Sequence, residues 1–288
     1  MGSSGSGTQC HYDVANNIIV QLYGTKRIRC YPPSTGITNF HVYPDAHPRA
    51  RKSQVDLDNP DFKRFPLYSD IHPTIDIILE PGDALEIPAF WFHHVENGKL
   101  LSSNNNLSCG QEGPSMSLNC FALSKPMMIA QQIFQKASLQ RITTLIRQTQ
   151  EKSPTLLLKS LGASLIQGLG IISQGEERDF IQKALLKARY EPLEEYRDIL
   201  NYQSSPSHSQ TKPEWSEEDL KLARACVEGI LPEFELLLEN EEKEENKERI
   251  GDANGIALLV ALHLLELWAV ELVGAPLVAK SWKEALRE

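Results

Sequence analysis

Cysteine is scarce and unpatterned in this chain. Its five cysteines (Cys10, Cys30, Cys109, Cys120 and Cys226) form no CxxC pair and are odd in number. That excludes a disulfide frame or a cysteine-built zinc site as the organising device. It suits reduced thiols in a cytoplasmic or nuclear protein. Basic charge is also short: 29 Lys and Arg stand against 38 Asp and Glu, for a net charge of -9 and a pI of about 5.5. A broad basic face is excluded, whereas a local basic groove is not, because net charge is a sum and binding is local. The opening MGSSGSG has no basic segment and no apolar stretch, so it does not read as a secretory signal. It reads either as a tag remnant or as a Gly/Ser turn into a first strand.

Long apolar runs are missing too, with one exception. Ile256 to Val273 is about long enough to cross a bilayer. It carries His263, Glu266 and Glu271, which are costly in lipid, and Gly274-Ala275-Pro276 ends it. The expectation is a helix buried in a bundle or at a dimer interface, with no membrane span.

What is present falls into two textures. The chain has 288 residues and a 41% hydrophobic content, enough for a sizeable core. Residues 8 to about 124 are rich in strand formers broken by turns. Ile18 to Leu22 is a short apolar run, Tyr23-Gly24-Thr25 a turn, and Arg27 to Tyr31 an alternating run, which together predict a hairpin. Ile75 to Leu79, the turn Glu80-Pro81-Gly82-Asp83, and Ala84 to Ile87 repeat the pattern. Short strands with Gly/Pro turns predict a sandwich or jelly roll. From about Lys125 the apolar period becomes 3.6, predicting helices over 127–147, 155–169, 176–190 and 193–202. The fold class expected is α+β: a partial double-stranded β-helix jelly roll over 1–124, a helical region over 125–203, a Ser/Pro/His-rich linker over 204–214, and a helical segment over 215–288. Within the last, Ser216 is a candidate N-cap, with acidic residues in the first turn. Glu239 to Glu248 is a charge run suited to a solvated surface.

Chemistry enters at His11-Tyr12-Asp13. On a strand, residues i and i+2 face the same side, so an imidazole and a carboxylate point together. Two nitrogen ligands and one oxygen ligand with open positions is the non-haem iron(II) arrangement. HxD alone is a weak signal, since it arises by chance in many chains. Asn17 follows with the same parity. Lys26, at the start of the predicted partner strand, could fold back near the metal face and pair with a carboxylate. The segment from Glu80 to His94 then runs a Gly turn into a strand ending near two histidines. Adjacent strand residues face opposite sides, so only one of His93 and His94 can join the site, and spacing does not choose between them.

The text HYDVANNIIVQLYGTKRIRCYPP and LEPGDALEIPAFWFHHV resembles the JmjC-type iron(II)/2-oxoglutarate oxygenases of the cupin superfamily. The segment Val55 to Asp61, followed by Arg64-Phe65-Pro66-Leu67-Tyr68, extends the likeness. Within that family the text lies nearest the tRNA wybutosine-synthesising hydroxylases. The likeness is close over residues 8–95, patchy to about 200 and absent beyond. It implies that His11, Asp13 and His93 bind Fe(II) and that Lys26 pairs with the distal carboxylate of 2-oxoglutarate. It implies that Asn17 and Asn119 flank the cosubstrate. Thr8 resembles a cosubstrate-contacting threonine of the asparaginyl hydroxylases. His94 falls where the relatives have no ligand, which implies a supporting or surface role. The activity implied is a 2-oxoglutarate-dependent dioxygenase that hydroxylates a wybutosine base of tRNA. A protein side-chain hydroxylase or demethylase and a non-catalytic interaction protein are the alternatives. The basic stretch Arg49, Arg51, Lys52, Lys63 and Arg64 is the candidate phosphate contact. A homodimer through the C-terminal helices is expected. The relatives carry a long region before the HxD strand, so an unpaired sheet edge and an open barrel are expected here. A polar insertion is expected between Glu96 and Met116.

Overall fold

A computed structural model of the chain describes residues 2–3, 5–68, 71–98, 114–137, 154–196, 216–239 and 252–286. The strands are β1 (Gly7–Tyr12), β2 (Asn16–Tyr23), β3 (Lys26–Tyr31), β4 (Ile75–Leu79), β5 (Ala84–Ile87), β6 (Phe92–Asn97) and β7 (Met116–Ala122). A short helix, α1 (Pro33–Asn39), follows β3. The strands form a four-stranded sheet in the order β1-β6-β3-β4 and a three-stranded sheet in the order β5-β2-β7. All the pairings are antiparallel. This is the jelly roll expected of the first part of the chain. A small apolar core of Ile19, Ile28, Cys30, Leu79, Ile87, Trp91 and Val95 is drawn from strands of both sheets.

The predicted hairpin does not form. β2 pairs with β5 and β7, whereas β3 pairs with β4 and β6. The turn at Gly24, with φ of +65°, carries the chain from one sheet to the other. The turn at Gly82, with φ of +101°, does the same between β4 and β5. Alternation names the buried face of a strand but not its partner. The edge expected to be bare is also partly covered. Tyr12 N donates to Arg51 O (3.3 Å), Ser53 N to Cys10 O (2.8 Å), and Gln9 Nε2 to Ser53 O (2.6 Å). The N-terminal Gly/Ser residues pair as well. Gly2 and Ser115 exchange two backbone hydrogen bonds of 2.9 Å, and Gly5 and Ser6 bond to Asn97 at 2.8 Å.

The helices are α2 (Lys125–Ala137), α3 (Pro154–Leu169), α4 (Glu177–Ile181) with a wide-pitched continuation over Gln182–Tyr190, α5 (Glu217–Glu228), α6 (Leu231–Leu238), α7 (Ala253–Val273) and α8 (Val278–Ala285). α7 is long and apolar enough to cross a membrane by length and composition, and 67% of that span is buried inside the molecule. It is apolar all round because it is packed all round, against α1, α3, α6 and α8 among others. Tyr12, Phe92 and Phe40 on the outer face of the larger sheet join the helical core. The Tyr12–Phe92 and Phe40–Phe92 rings meet edge-on at 5.0 and 5.2 Å. Ser216 immediately precedes α5, and its carbonyl accepts from Leu220 N at 3.2 Å. The helical expectations beyond 137 and 196, the linker over 204–214, most of the 239–248 charge run and the polar insertion lie outside the described residues.

Candidate metal centre

The HxD corner is built by local clamps. β1 carries a bulge between Thr8 and His11, after which His11 sits opposite His93 on β6. The chain leaves β1 at Tyr12 and enters the other sheet at Asn16. Two hydrogen bonds hold this corner against the lead into β6. Phe90 N donates to Asp13 O (2.6 Å), and Ala89 N donates to Asn16 Oδ1 (2.9 Å). Phe90 has a φ of +66°, a conformation a bulky side chain rarely adopts, which costs of order 1–3 kcal/mol. The buried ring and the bond to Asp13 hold it there.

Three ligand-type atoms converge as a result. His93 Nε2 lies 3.7 Å and His11 Nε2 4.0 Å from Asp13 Oδ2. All three ligand atoms lie within 4.8 Å of one another. Each imidazole donates from Nδ1 to a backbone carbonyl two residues earlier, His11 to Gln9 O (2.9 Å) and His93 to Trp91 O (3.1 Å). That bond fixes the tautomer and leaves the Nε2 lone pair for a metal. Burial, reinforced by the charge of His11, pushes the His93 pKa down to about 4, so its ring is neutral at physiological pH. His11 and Asp13 are partly open, at 20% and 25% side-chain exposure, so the triad presents one free side. Two imidazole nitrogens and one carboxylate oxygen fit a divalent iron with open positions.

Strand parity chooses His93. It shares the inner face with Cys30 and His11, whereas His94 lies opposite Arg29 on the outer face. The other expected residues arrive from different elements. Asn17 and Asn119 are partners across β2 and β7 flanks, with Asn119 Nδ2 donating to Asn17 Oδ1 at 3.3 Å. Asn17 therefore lies in the other sheet from His11, not along the same strand. Lys26 Nζ donates to Ser117 Oγ at 2.5 Å, and burial lowers its pKa. Its Cα is paired with Asn97, four residues along β6 from His93, about 14 Å at ~3.4 Å per residue. A lysine side chain and a five-carbon dicarboxylate can span that interval. Thr8, opposite Val95, is exposed and has no contact with the triad among those described.

Two polar residues were not anticipated. Ser117 shares parity with Asn119 on β7, which is the signal that would have found it. Gln21 is fully buried and donates to Tyr23 O, Gly24 O and Ser115 Oγ, anchoring the start of β7. The basic stretch divides. Lys52 pairs with His11 in an isolated bridge, and both Lys52 and Arg51 are exposed. Arg49 instead bonds Tyr43 Oη (3.4 Å), and Arg64 bonds Pro192 O (3.2 Å).

Comparison with known proteins agrees with this geometry. Residues 1–121 match the family model described as Cupin-like domain. The tRNA wybutosine-synthesizing protein 5 of Gallus gallus is 38% identical over 96 residues, 33% of this chain and 28% of that protein. The lysine-specific demethylase JMJ30 of Arabidopsis thaliana is 38% identical over 97 residues, 33% of this chain and 22% of that protein. The chain thus spans about a quarter of the length of these curated relatives. A solved structure of YcfD, a ribosomal oxygenase from Escherichia coli in complex with cobalt and 2-oxoglutarate, is 16% identical with a TM-score of 0.23 over 84% of this chain and 37% of that one. That likeness is too slight to bear on the fold or the site. The seven-stranded jelly roll and the matched segment agree: residues 1–121 of this chain are similar to a cupin-like domain.

Proposed function

We propose that this chain is an Fe(II)- and 2-oxoglutarate-dependent oxygenase acting on a wybutosine base of tRNA. His11, Asp13 and His93 would hold the iron. The observation that carries the reading is the pair of carbonyl-anchored imidazoles whose Nε2 atoms face one carboxylate oxygen. When bound, iron and cosubstrate supply oxidative decarboxylation of 2-oxoglutarate to succinate, coupled to hydroxylation of the substrate. The residues of the chain do the rest. Lys26, steered by Ser117, offers a charge-assisted hydrogen bond to the distal carboxylate. Asn17 and Asn119 provide amide contacts along the cosubstrate. Trp91, Ile28 and Val95 keep water from the inner wall.

The tRNA assignment is supported by the named relative and by Arg51 and Lys52, two exposed cations beside His11. A second reading, a protein side-chain hydroxylase or demethylase, is favoured by the equal identity to a lysine-specific demethylase and by the net charge of -9. The expected homodimer would use Leu222 of α5 and Leu236 of α6, which are exposed, and sedimentation velocity checks it. The deciding experiment follows succinate release from 2-oxoglutarate with wybutosine-containing tRNA or a lysine peptide. Turnover is expected with the wild type and lost in His11→Ala. Turnover that survives His11→Ala sinks the iron assignment. Turnover with peptide but not tRNA selects the second reading, and failure to bind N-oxalylglycine with iron favours a non-catalytic interaction protein.

A further inference from the structure

The outer face of the larger sheet carries a second group of ligand-type side chains. It sits behind the metal centre, on the far side of β6. His94 and Glu96 project from β6, and Asp58 reaches them from the loop between α1 and β4. His94 Nε2 lies 3.3 Å from Asp58 Oδ2 and 3.9 Å from Glu96 Oε1. The three ligand atoms fall within 4.8 Å of one another.

The His94–Asp58 spacing of 3.3 Å is longer than that of a tight hydrogen-bonded pair and close to that of two ligands on one ion. Four ligands at about 2.1 Å around a tetrahedral ion stand about 3.4 Å apart. A hydrogen-bonded imidazole–carboxylate pair is closer, as His263 and Asp45 show elsewhere in this chain at 2.6 Å. His94 is 7% exposed, and neither of its ring nitrogens has a hydrogen-bond partner. A buried imidazole 3.3 and 3.9 Å from two carboxylates, with no well-aligned hydrogen bond to either, is an unusual arrangement for a purely structural residue.

The neighbouring arginines hydrogen-bond the carboxylates of the group. Arg29 Nη2 bonds Asp58 Oδ1 (2.5 Å), which leaves Oδ2 turned to His94, and reaches Glu96 Oε1 at 3.3 Å. Arg27 is committed to Asp76 through two bonds of 2.8 and 2.7 Å, with Glu96 Oε2 at 3.8 Å. Three carboxylates against two guanidinium groups leave an excess negative charge that a divalent cation would reverse. Asp58, with its side chain 45% exposed, opens the group to solvent and gives an ion a route in.

We infer that Asp58, His94 and Glu96 form a second metal site, for a divalent cation of the zinc class, separate from the HxD centre. Adjacent residues of one strand, His93 and His94, would then serve two metals on opposite faces of the same sheet.

The test uses the full chain and Zn²⁺ alone, with bound metal counted after equilibrium dialysis. The His11→Ala/Asp13→Ala variant is expected to retain one zinc per chain, and zinc is expected to raise its melting temperature. Adding His94→Gln or Glu96→Gln is expected to weaken that zinc at least tenfold and abolish the thermal shift. Because both lie on a core strand, Asp58→Asn on the loop repeats the test without disturbing β6. Zinc lost already in the His11→Ala/Asp13→Ala variant, with native circular dichroism retained, overturns the proposal. So does zinc held equally well after Asp58→Asn.

Discussion

Lys26 carries a cation whose hydrogen bond, among the described residues, goes to a neutral hydroxyl. It is half-buried, and Ser117 Oγ accepts its hydrogen bond. If it receives the distal carboxylate of 2-oxoglutarate, Lys26→Met removes a charge-assisted bond of about 1.5–3 kcal/mol. KM for 2-oxoglutarate is then expected to rise roughly tenfold to a hundredfold, since 1.4 kcal/mol is about a factor of ten, with a smaller change in kcat. Succinate release at varied 2-oxoglutarate measures both, and an unchanged KM would place the anion pocket elsewhere. His11 and Asp13 were legible as a pair from their i, i+2 spacing, although β1 ends at Tyr12 and the corner bond from Phe90 N to Asp13 O helps to hold the carboxylate in place. His93 was not separable from His94 by spacing. The resemblance chose it, and the register against Cys30 and His11 gives the physical reason. Asp58 could not be read at all, because it reaches β6 from a loop 36 positions upstream of His94 through tertiary folding.

Elements show the same division between local and distant information. The strands over 18–22, 27–31, 75–79 and 84–87 could be located because alternation and turn residues are local signals. Their partners could not, because crossing between sheets at Gly24 and Gly82 leaves the same alternation as a hairpin. The helical half locks onto the jelly roll through α1. Gly36 of α1 lies so close to Phe92 that an added Cβ would enter the ring. Gly36→Ala must push Phe92 off the strand that carries His93, and overpacking of this kind costs about 1–3 kcal/mol. A lowered urea midpoint together with weaker metal binding is the expected result, and wild-type behaviour in both would refute it. At the start of α7, Asp252 caps Gly255 N (2.9 Å) and also accepts from Ser34 N of α1 (2.5 Å). Asp252→Ala therefore removes a cap and a tie between elements, at a cost of about 1–2 kcal/mol. Asp252→Asn, whose single amide oxygen can accept only one of the two bonds, should recover part of that loss in the same denaturation assay.

Across the whole molecule, the two halves meet at a buried charge network that no single segment announces. Asp45 comes from the loop after α1, Arg189 from the continuation of α4, and His263 and Glu266 from α7. Arg189 Nη1 reaches Glu266 Oε2 (2.6 Å) and Asp45 Oδ2 (3.3 Å), while His263 Nδ1 meets Asp45 Oδ2 at 2.6 Å. The Phe134 ring of α2 packs edge-on against His263 at 4.8 Å. His263 and Glu266 were visible only as polar interruptions in an apolar run. Their partners explain why the helix tolerates them, because a buried polar group persists where a partner meets it. The network sets a pH dependence. Burial alone would lower the His263 pKa, but the hydrogen bond and charge of Asp45 outweigh it and raise the pKa above 6.5. A raised histidine stabilises the fold fully below 6.5, and that stabilisation is lost as pH rises through the folded value. Burial pushes Glu266 up to about 8, against the pull of Arg189. Between its ordinary 4.5 and 8 the unfolded carboxyl gives up its proton more readily than the folded one, so stability again falls as pH rises. Asp45 is held below its usual 3.8 by His263 and Arg189 despite burial, so its contribution disappears only in acid. The melting temperature is therefore expected to decline from pH 6.5 to pH 8. His263→Gln should decline less steeply across that window, because only the Glu266 contribution remains. Parallel wild-type and His263→Gln curves, measured by circular dichroism in buffers of matched ionic strength, would remove His263 from the network's pH response.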